Sequence, residues 1–392
     1  MEESISRLIN GASWKSDQYY NCTSSNVNQV LEQVLHMNGA EAQTSYAENA
    51  SVQKKVISRT KPLIQESIDE LYCKNFPECF KFADLGCCSG PNAYLPTWDV
   101  VESLHSTCNR LDRKPPTLQV FLNDLPANDF NSTLKLLPSF YERLKREKIL
   151  LGDDQYCFIA AVPGSFYGRL FPPNSLHFVF SSYAVHWLSR VPKGLVNKKH
   201  VYVTQTTPPT VHKAYLDQFE NDLSSFLKLR SEELKPGGRI VLALIGHHDK
   251  NHPYAWEVFG LILNDMVSEG LIEASKLESF NLPHYAPSPE EIRLAIEREG
   301  SFNIHKLETF QVSPLAGFDD NINNIDNKNK LYARGKHVAN GIRAISESLI
   351  ANHFGNSIVD DLFHRLAIKI TQYLDLELAA YTNLLISLIK KS

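Results

Sequence analysis

Short apolar runs alternate along this chain with stretches in which apolar residues recur at helical spacing. The helical spacing is clear over residues 56–71, and apolar runs follow at residues 82–85, 119–122, 157–162, 176–181 and 239–245. Strands that alternate with helices predict an α/β fold with a parallel sheet and crossover helices. In such sheets the ligand lies at the carboxyl ends of the strands, so the segments that follow the strands are the candidates for chemistry.

The first strand leads into Asp-Leu-Gly-Cys-Cys-Ser-Gly-Pro-Asn at residues 84–92. Gly86 and Gly90 allow a tight bend and a close approach of the backbone to a ligand, and the helix that follows offers unpaired N–H groups at its N-terminus. The spacing differs from the G-x-G-x-x-G of dinucleotide sites. An acidic residue before the first glycine, here Asp84, is typical of class I methyltransferases, where it lies at the amino-acid tail of S-adenosylmethionine. The alternative is a strand-to-helix turn that binds no ligand.

Polar and aromatic side chains also follow the next three strands. Asp124 ends the second strand, where a carboxylate can accept two hydrogen bonds from a ribose diol, although a helix cap or an Asx-turn is an alternative. Ser165 and Phe166 follow the third strand and can hold and sandwich an adenine. Tyr183 and Trp187 follow the fourth strand, either as core residues or as walls of a site for a flat molecule.

Composition favours chemistry on small molecules. The chain has 392 residues, of which 43% are hydrophobic and 21% charged, so it can bury a large core. A formal net charge of -4 and a pI near 6.4 give no general attraction to nucleic acid or to an anionic membrane. The start lacks the pattern of a signal peptide, no run of about 20 apolar residues occurs, and the seven cysteines form no C-x-x-C pair. We therefore expect a cytoplasmic protein without nucleic-acid or membrane partners.

A series of longer motifs resembles one family of plant enzymes. The chain resembles the SABATH methyltransferases, which include salicylate, benzoate and jasmonate carboxyl methyltransferases and the caffeine-pathway N-methyltransferases. The resemblance runs from Val34 to the C-terminus. It rests on words that fall in the family's order, such as Val-Leu-His-Met-Asn-Gly at 34–39, Ser-Gly-Pro-Asn at 89–92, Leu-Asn-Asp-Leu-Pro at 122–126, Val-Pro-Gly-Ser-Phe-Tyr-Gly-Arg at 162–169, Trp-Leu-Ser at 187–189 and Phe-Asn-Leu-Pro at 280–283.

The resemblance implies a class I methyltransferase fold, a Rossmann-like sheet with a helical cap over the acceptor pocket. Residues 1–33 are polar with little periodicity and are expected to form a loosely ordered N-terminal extension. The core then spans residues 34–252, with one further core strand in 302–315 and a C-terminal core strand in 379–392. The cap is expected in two parts, residues 253–301 and 316–378.

The resemblance also implies the site residues and partners. Around S-adenosylmethionine it places Asp84, Gly86, Tyr46, Cys87, Asn92, Asp124, Leu125, Ser165 and Phe166. Around the small-molecule acceptor it places Asn38, Gln53, Tyr183, His186, Trp187 and Trp256, with Tyr285, Ile342 and Ile345 as outer walls. A structural magnesium site would fall on Asn197, Glu278, Phe280 and Asn281. Members of the family are usually homodimers, so a homodimer is expected here.

The chemistry places few demands on the protein. Methyl transfer from a sulfonium is an in-line displacement that needs the acceptor lone pair about 3 Å from the methyl carbon, so positioning is most of the catalysis. An acceptor carboxylate with a pKa near 4 is ionised at pH 7 and needs no base. Gln53 and Trp187 can donate N–H bonds to its oxygens. A purine nitrogen must lose a proton, and His186 is the candidate hydrogen-bond partner or base.

The acceptor is the least determined part of this hypothesis. Gln53 and Trp256 match positions of salicylate-type enzymes and favour a carboxyl acceptor, whereas Asn38 replaces a lysine of some of them and His186 occurs in both classes. Residues 135–141 and 213–219 resemble coffee N-methyltransferases. The sequence therefore predicts a carboxyl methyltransferase, with a purine N-methyltransferase as the alternative. A nicotinamide oxidoreductase is disfavoured because G-x-G-x-x-G is absent, and Ala50, where many members have serine, leaves open a relative that binds ligand without catalysis.

Overall fold

A computed structural model describes residues 31–39, 44–74, 77–147, 149, 157–193, 195, 201–203, 207–247, 255–319, 327–374 and 380–392. Seven strands are present in this part of the chain: β1 (Cys79–Leu85), β2 (Thr117–Asp124), β3 (Cys157–Pro163), β4 (Leu176–Ser182), β5 (Leu234–Ile245), β6 (Phe302–Val312) and β7 (Tyr381–Lys390). They form one sheet in the order β3-β2-β1-β4-β5-β7-β6. The five strands predicted from apolar runs are confirmed.

The helices of the described residues fall between and beyond these strands. They include α1 (Tyr46–Asn49), α2 (Ser51–Lys74), α3 (Leu95–Arg110), α4 (Phe130–Leu134), α5 (Leu137–Arg146), α6 (Pro209–Glu233), α7 (Ala255–Ser268), α8 (Ala274–Ser279), α9 (Pro289–Glu299), α10 (Asn327–Phe354) and α11 (Val359–Leu374), with 3-10 turns at Pro91–Tyr94 and Asn356–Ile358. No described helix combines the length and apolar character that crossing a membrane requires.

The first five strands run parallel, as predicted, and their carboxyl ends lie at one edge of the sheet. Leu85 of β1 pairs with Asn123 of β2, and Asp124 pairs with Pro163 of β3, so the loops after three strands begin side by side. β7 runs antiparallel to both β5 and β6, which makes the complete sheet mixed. This register brings the polar segments that follow the strands together.

Apolar side chains on both faces of the sheet explain why it is sandwiched between helices. On one face α2 and α3 contribute to a buried cluster with strand residues such as Phe82 and Phe178. On the other face α6 and α9 do the same, with Phe219 and Phe226 fully buried. Burial of this kind contributes about 25 cal/mol per Å² of apolar surface removed from water, which is the main force holding the layers together.

A third cluster joins α7, α10 and α11 to the carboxyl end of the sheet. It contains Phe259, Ile350 and Leu366 from these helices together with Trp187 and Ile245, which lie at or just beyond the ends of β4 and β5. The helices thus cover the strand ends on one side. The division of the chain into core and cap segments at the residues given above remains a prediction, and residues 1–30 of the expected extension lie outside the described residues.

Candidate active site

Two adjoining cavities lie at the carboxyl ends of the parallel strands. The first, called here the strand-end cavity, is lined by the segments after β1, β2, β3 and β4. The second, called the cap cavity, extends from the ends of β4 and β5 to α7 and α10. Both cavities are lined by Met37, Cys88, Tyr183 and Trp187. These four residues form a shared wall.

Two residues of the shared wall have an unusual backbone conformation. Cys88 has φ +58° and Tyr183 has φ +57°, which lie in the left-handed region that residues other than glycine rarely adopt. The N–H of Tyr183 donates to the Ala243 carbonyl (2.7 Å) and its hydroxyl donates to Asn383 Oδ1 (2.5 Å), which holds the ring in place. Strain of this kind persists where the surrounding structure enforces it, commonly at functional sites.

The strand-end cavity is bounded by a tightly hydrogen-bonded turn. Asp124 accepts from the backbone N–H groups of Cys88 and Leu125, at 2.7 Å each. Burial of the carboxyl raises its pKa to about 6, while these two N–H groups act in the opposite direction. Gly86 has φ +78°, and a Cβ there would lie 2.3 Å from the Cβ of Ala184. Glycine is therefore required at this position by conformation and by space.

Five of the residues predicted around a cofactor line this cavity: Gly86, Asp124, Leu125, Ser165 and Phe166. Tyr46 lines the cap cavity instead. Asp84, Cys87 and Asn92 are buried and are not among the described residues that line the strand-end cavity.

Cys87 and Asn92 make contacts outside the cavity, and Asp84 is buried close to Asp124. Cys87 packs in the apolar cluster beneath α2 and α3, whereas Cys88, which has a positive φ, lines both cavities. Asn92 donates from Nδ2 to the Ala50 carbonyl (3.2 Å). Burial and the neighbouring Asp124 carboxyl raise the pKa of Asp84 well above its usual range.

The cap cavity carries polar groups that the protein leaves unpaired. Most of the predicted acceptor residues line it: Gln53, Tyr183, His186, Trp187, Trp256, Ile342 and Ile345. Across the described chain, neither the side-chain amide of Gln53 nor the indole N–H of Trp187 has a hydrogen-bond partner, although both residues are more than nine-tenths buried. Two N–H donors are thus available to a molecule in this cavity.

His186 has a defined protonation state. Its Nδ1 accepts a hydrogen bond from the backbone N–H of Ile245 (3.2 Å). Burial, with a contribution from the nearby His284, lowers its pKa well below the usual value, so the ring is neutral at pH 7. A neutral imidazole whose Nδ1 accepts carries its proton on Nε2, so the other ring nitrogen of His186 is a donor.

His284 also lines the cap cavity and was not predicted. It is 1% exposed, and neither ring nitrogen has a hydrogen-bond partner in the described structure. Its ring centroid lies 4.7 Å from that of His186 and 5.2 Å from that of Trp187. Burial lowers its pKa to about 3. The sequence carried no signal for this residue, because it follows Phe-Asn-Leu-Pro in a loop without periodicity.

Two predicted acceptor residues are not among those that line the cap cavity. Asn38 donates from Nδ2 to Glu347 Oε2 (2.6 Å), and its N–H donates to the Ala344 carbonyl, so it fastens the segment that carries Met37 to α10. Tyr285 donates its hydroxyl to Glu291 (3.0 Å) and packs beneath the sheet with α6. The residue before it, His284, lines the cap cavity.

Comparison with known proteins decides what this arrangement is. The profile of a family described as SAM dependent carboxyl methyltransferase matches residues 32–391. The chain belongs to this family, the SABATH methyltransferases. It is 45% identical over 382 residues to a probable caffeine synthase 3 of Coffea arabica, covering 92% of this chain and 98% of that one. It is equally 45% identical over 374 residues to a probable jasmonic acid carboxyl methyltransferase 2 of Theobroma cacao, with coverage of 92% and 99%.

A solved structure agrees with the fold of this SABATH enzyme. A loganic acid methyltransferase solved with SAH is 31% identical, covers 91% of this chain and 99% of its own, and superposes with a TM-score of 0.75. The protein is therefore an S-adenosylmethionine-dependent methyltransferase with the α/β fold that its sequence predicts. The comparisons include N- and carboxyl methyltransferases at the same identity, so they leave the acceptor class open.

The N-terminal part of this SABATH chain contributes more than the sequence suggested. Leu31 and Glu32 belong to the stretch predicted as a loosely ordered extension, yet both line the strand-end cavity, as does Leu35. Met37 reaches both cavities. A polar stretch without periodicity gave no signal of this role, because the contacts are made with residues more than fifty positions away.

The residues suggested for magnesium can be tested only in part. Asn197 lies outside the described residues. Asn281 is buried and its Oδ1 has no hydrogen-bond partner in the described structure, as an oxygen ligand of Mg²⁺ would require, whereas Glu278 is exposed on α8. Asn281 therefore fits the ion, and the site remains a prediction. Glu66, Glu70 and His305 also converge, but Arg239 donates to Glu70, and a buried guanidinium opposes a cation there.

Proposed function

We propose that this methyltransferase transfers a methyl group to the carboxylate of a small organic acid of the salicylate, benzoate or jasmonate type, giving a methyl ester. The observation that carries this proposal is a pair of N–H donors in the cap cavity, on Gln53 and Trp187, that have no hydrogen-bond partner among the described residues. A carboxylate offers acceptor oxygens to both, and charge-assisted hydrogen bonds in a dry cavity are strong.

In this proposal the cofactor occupies the strand-end cavity. Asp124 accepts from the ribose hydroxyls with the lone pairs that Cys88 and Leu125 leave free, and Phe166, Leu125 and Ser165 surround the adenine. The shared wall then lies between cofactor and acceptor. S-adenosylmethionine, when bound, supplies the methyl group on a sulfonium with a good leaving group.

The chain's own residues then act by placement. Gln53 and Trp187 hold the acceptor carboxylate with one oxygen directed toward the cofactor, on the side of the cap cavity that adjoins the strand-end cavity. Trp256, Ile342 and Ile345 pack against the rest of the acceptor and exclude water. A carboxylate is already ionised at pH 7, so no residue has to remove a proton.

The state of the two histidines also supports a carboxyl acceptor. His186 and His284 are both neutral because burial lowers each pKa, to about 3 for His284. In addition, the hydrogen bond from Ile245 makes the Nε2 of His186 a donor, so this nitrogen cannot receive a proton from a substrate. A cavity whose imidazoles are such weak bases suits a reaction that needs no base.

One observation favours methylation of a ring nitrogen as the second candidate function. The unpaired nitrogens of His284 can pair with the N–H and carbonyl groups of a purine edge. Several relatives are named for methylxanthine chemistry, including a 3,7-dimethylxanthine N-methyltransferase 1 of Coffea arabica at 45% identity. His284 rather than His186 would then be the partner of the substrate proton.

The two candidates are separated by the product. Purified protein is incubated with radiolabelled S-adenosylmethionine and a panel of salicylate, benzoate, jasmonate, xanthosine and 7-methylxanthine, and the products are treated with mild alkali. Methyl esters release the label, whereas N-methyl groups keep it. Base-labile label on an acid supports the carboxyl proposal, and base-stable label on a purine replaces it with the second candidate. A Gln53→Ala variant is the matched control, because only an acid acceptor should depend on this amide.

A further inference from the structure

The loop after β3 is fixed by a buried ion pair outside both cavities. Residues 163–171 include Ser165, Phe166 and Tyr167, which line the strand-end cavity. Behind the loop lie Arg230 and Glu233 in the last turn of α6, and both side chains are fully buried. Arg230 donates from Nε to Glu233 Oε2 (2.7 Å) and from Nη2 to Oε1 (2.8 Å), a bidentate pair of defined geometry.

Each member of the pair also binds the backbone of this loop. Arg230 donates from Nη1 to the carbonyl of Phe166 (2.7 Å) and from Nη2 to the carbonyl of Gly168 (2.9 Å). Glu233 Oε1 accepts from the N–H groups of Leu170 (2.8 Å) and Phe171 (3.1 Å). Four backbone groups of this loop therefore form hydrogen bonds with the ion pair.

The same loop is linked to the shared wall. The hydroxyl of Tyr167 donates to the carbonyl of Trp187 (2.7 Å). The ring of Phe166 packs against Tyr167 at 4.7 Å and against Phe226 of α6 at 5.9 Å. These contacts connect α6, through the loop, to Trp187, which lines both cavities.

Stability alone is a weak reason for this arrangement. A buried ion pair commonly contributes no more to stability than apolar residues of the same volume, because both charges lose their hydration. What a bidentate pair provides is a fixed geometry for the groups bound to it. Here those groups are the carbonyls on either side of Tyr167, in the loop that faces the strand-end cavity.

We propose that Arg230 and Glu233 are positioning residues, which hold the 163–171 loop against the cofactor and, through Tyr167, set the distance between the cofactor and the acceptor wall. This inference rests on the proposed place of the cofactor in the strand-end cavity. Neither residue lines either cavity. Their effect is on where Phe166 and Trp187 lie when methyl transfer begins.

The neighbouring residue supplies a matched control. Glu232 is on the same turn and pairs with Arg169 of the same loop, but both side chains are about two-fifths exposed. Glu233→Gln and Glu232→Gln each remove one charge from one ion pair to this loop. We expect Glu233→Gln to raise the Kd for S-adenosylhomocysteine, measured by calorimetry, about tenfold or more, because an amide presents a donor to Arg230 and displaces the loop. Glu232→Gln should bind as the wild type does.

A second variant leaves the ion pair intact, so it decides the question even where Glu233→Gln fails to fold. Tyr167→Phe removes only the hydroxyl that reaches Trp187. We expect kcat to fall about tenfold while the Kd for S-adenosylhomocysteine stays within about twofold of the wild-type value, since a small misplacement of the reacting groups is costly. An unchanged kcat in Tyr167→Phe would overturn the link to the acceptor wall, and equal Kd values for folded Glu233→Gln and Glu232→Gln would overturn the role of the pair.

An Asp124→Ala variant separates this inference from the proposed cofactor site. If Asp124→Ala binds S-adenosylhomocysteine as tightly as the wild type, the cofactor lies elsewhere and the inference falls with it. If Asp124→Ala loses binding and Glu233→Gln does not, only the inference about the ion pair is wrong. Loss of binding in both, with Glu232→Gln unaffected, supports both.

Discussion

The strand-end cavity and the cap cavity share a wall, but they satisfy their polar groups in opposite ways. In the strand-end cavity, Asp124 is paired with two N–H groups from the loops beside it, and the loop after β3 is fixed by Arg230 and Glu233. In the cap cavity, Gln53, Trp187 and His284 have no partner in the described structure. The loops around the strand-end cavity are held by hydrogen bonds within the protein, whereas the cap cavity has donors and acceptors that a ligand can pair with.

This difference separates what every family member must do from what distinguishes one member from another. A site for an invariant cofactor gains from preorganisation, because its geometry is fixed before binding. Unpaired buried donors cost about 1–3 kcal/mol each, and a molecule that pairs with them recovers this free energy while one that cannot is rejected. We therefore expect substitutions in the strand-end cavity to affect the methylation of all acceptors alike. Substitutions in the cap cavity should change which acceptors are preferred.

The largest effect is expected at Asp124. Asp124→Ala should raise the Kd for S-adenosylhomocysteine about 10- to 100-fold, because hydrogen bonds to a charged group are worth about 1.5–3 kcal/mol. Calorimetry without acceptor measures this directly. The KM for the acceptor should change little. A variant that binds cofactor normally but loses one acceptor selectively would show that the two cavities are not separate in function.

Gln53→Ala should have the next largest effect, on one class of acceptor only. Loss of one N–H donor to a carboxylate should raise the KM for an acid about tenfold, and a purine acceptor should respond far less. Initial-rate kinetics with both acceptors measure the ratio. Gln53→Glu is the sharper partner variant, since a carboxylate facing a carboxylate repels it. Equal responses of both acceptors would remove the carboxylate assignment.

The strand-end cavity could be predicted from the sequence, because its residues lie within a few positions of apolar runs whose periodicity identifies the strands. The motif at 84–92 and Asp124 locate the cavity without any long-range information. The detail within the motif could not be predicted. Cys88, whose φ is positive, lines both cavities, whereas Cys87 packs in the core. No propensity of cysteine predicts that conformation.

Apart from Tyr183 and Trp187, the residues of the cap cavity were predicted through family resemblance, since its walls come from segments far apart in the chain. His284 was not predicted, and Tyr285, predicted as an outer wall, is not among the lining residues, because the direction of a side chain in an irregular loop depends on contacts such as that between Leu188 and Pro283. Leu31 and Glu32 were missed because a short segment is placed by its partners rather than by its own composition. The core and cap boundaries, the magnesium site, the homodimer and the cytoplasmic location remain predictions.

A smaller effect is expected at His284, with opposite signs for stability and activity. His284→Phe replaces two unpaired buried nitrogens by apolar atoms of similar shape, so the free energy of unfolding should rise by about 1 kcal/mol. At the same time kcat/KM for the true acceptor should fall several-fold, because a polar contact is lost. Denaturant titration and steady-state kinetics measure the two effects.

His284→Gln serves as the control, because it keeps a donor and an acceptor at this position. It should retain more activity than His284→Phe and gain less stability. If His284→Phe is destabilised and fully active, His284 is a packing residue, and the contrast between the two cavities does not extend to it.

The smallest effect is expected from a change of pH, and it concerns the strand-end cavity. The pKa of Asp124 is raised to about 6, so its carboxylate is mostly ionised at pH 7.5 and mostly protonated at pH 5.5. Affinity for S-adenosylhomocysteine should therefore fall about threefold to fourfold between these values, as protonation removes the charged acceptor. One other titratable group, His36, lowers the pKa of this carboxyl. The Asp124 carboxylate in turn raises the pKa values of four neighbouring groups, Asp84, Cys87, Cys88 and Tyr46.

The sign of the stability change provides the control for this pH effect. Because the folded pKa of Asp124 exceeds its unfolded value, the native state binds the proton more tightly, and the contribution of this group to stability falls as pH rises through about 4 to 6. Acid therefore weakens cofactor binding without unfolding the protein through Asp124. An Asp124→Asn variant should bind weakly at both pH values. If its affinity still falls toward pH 5.5 as in the wild type, the titrating group is a different one, and the strand-end cavity owes its pH response to another residue.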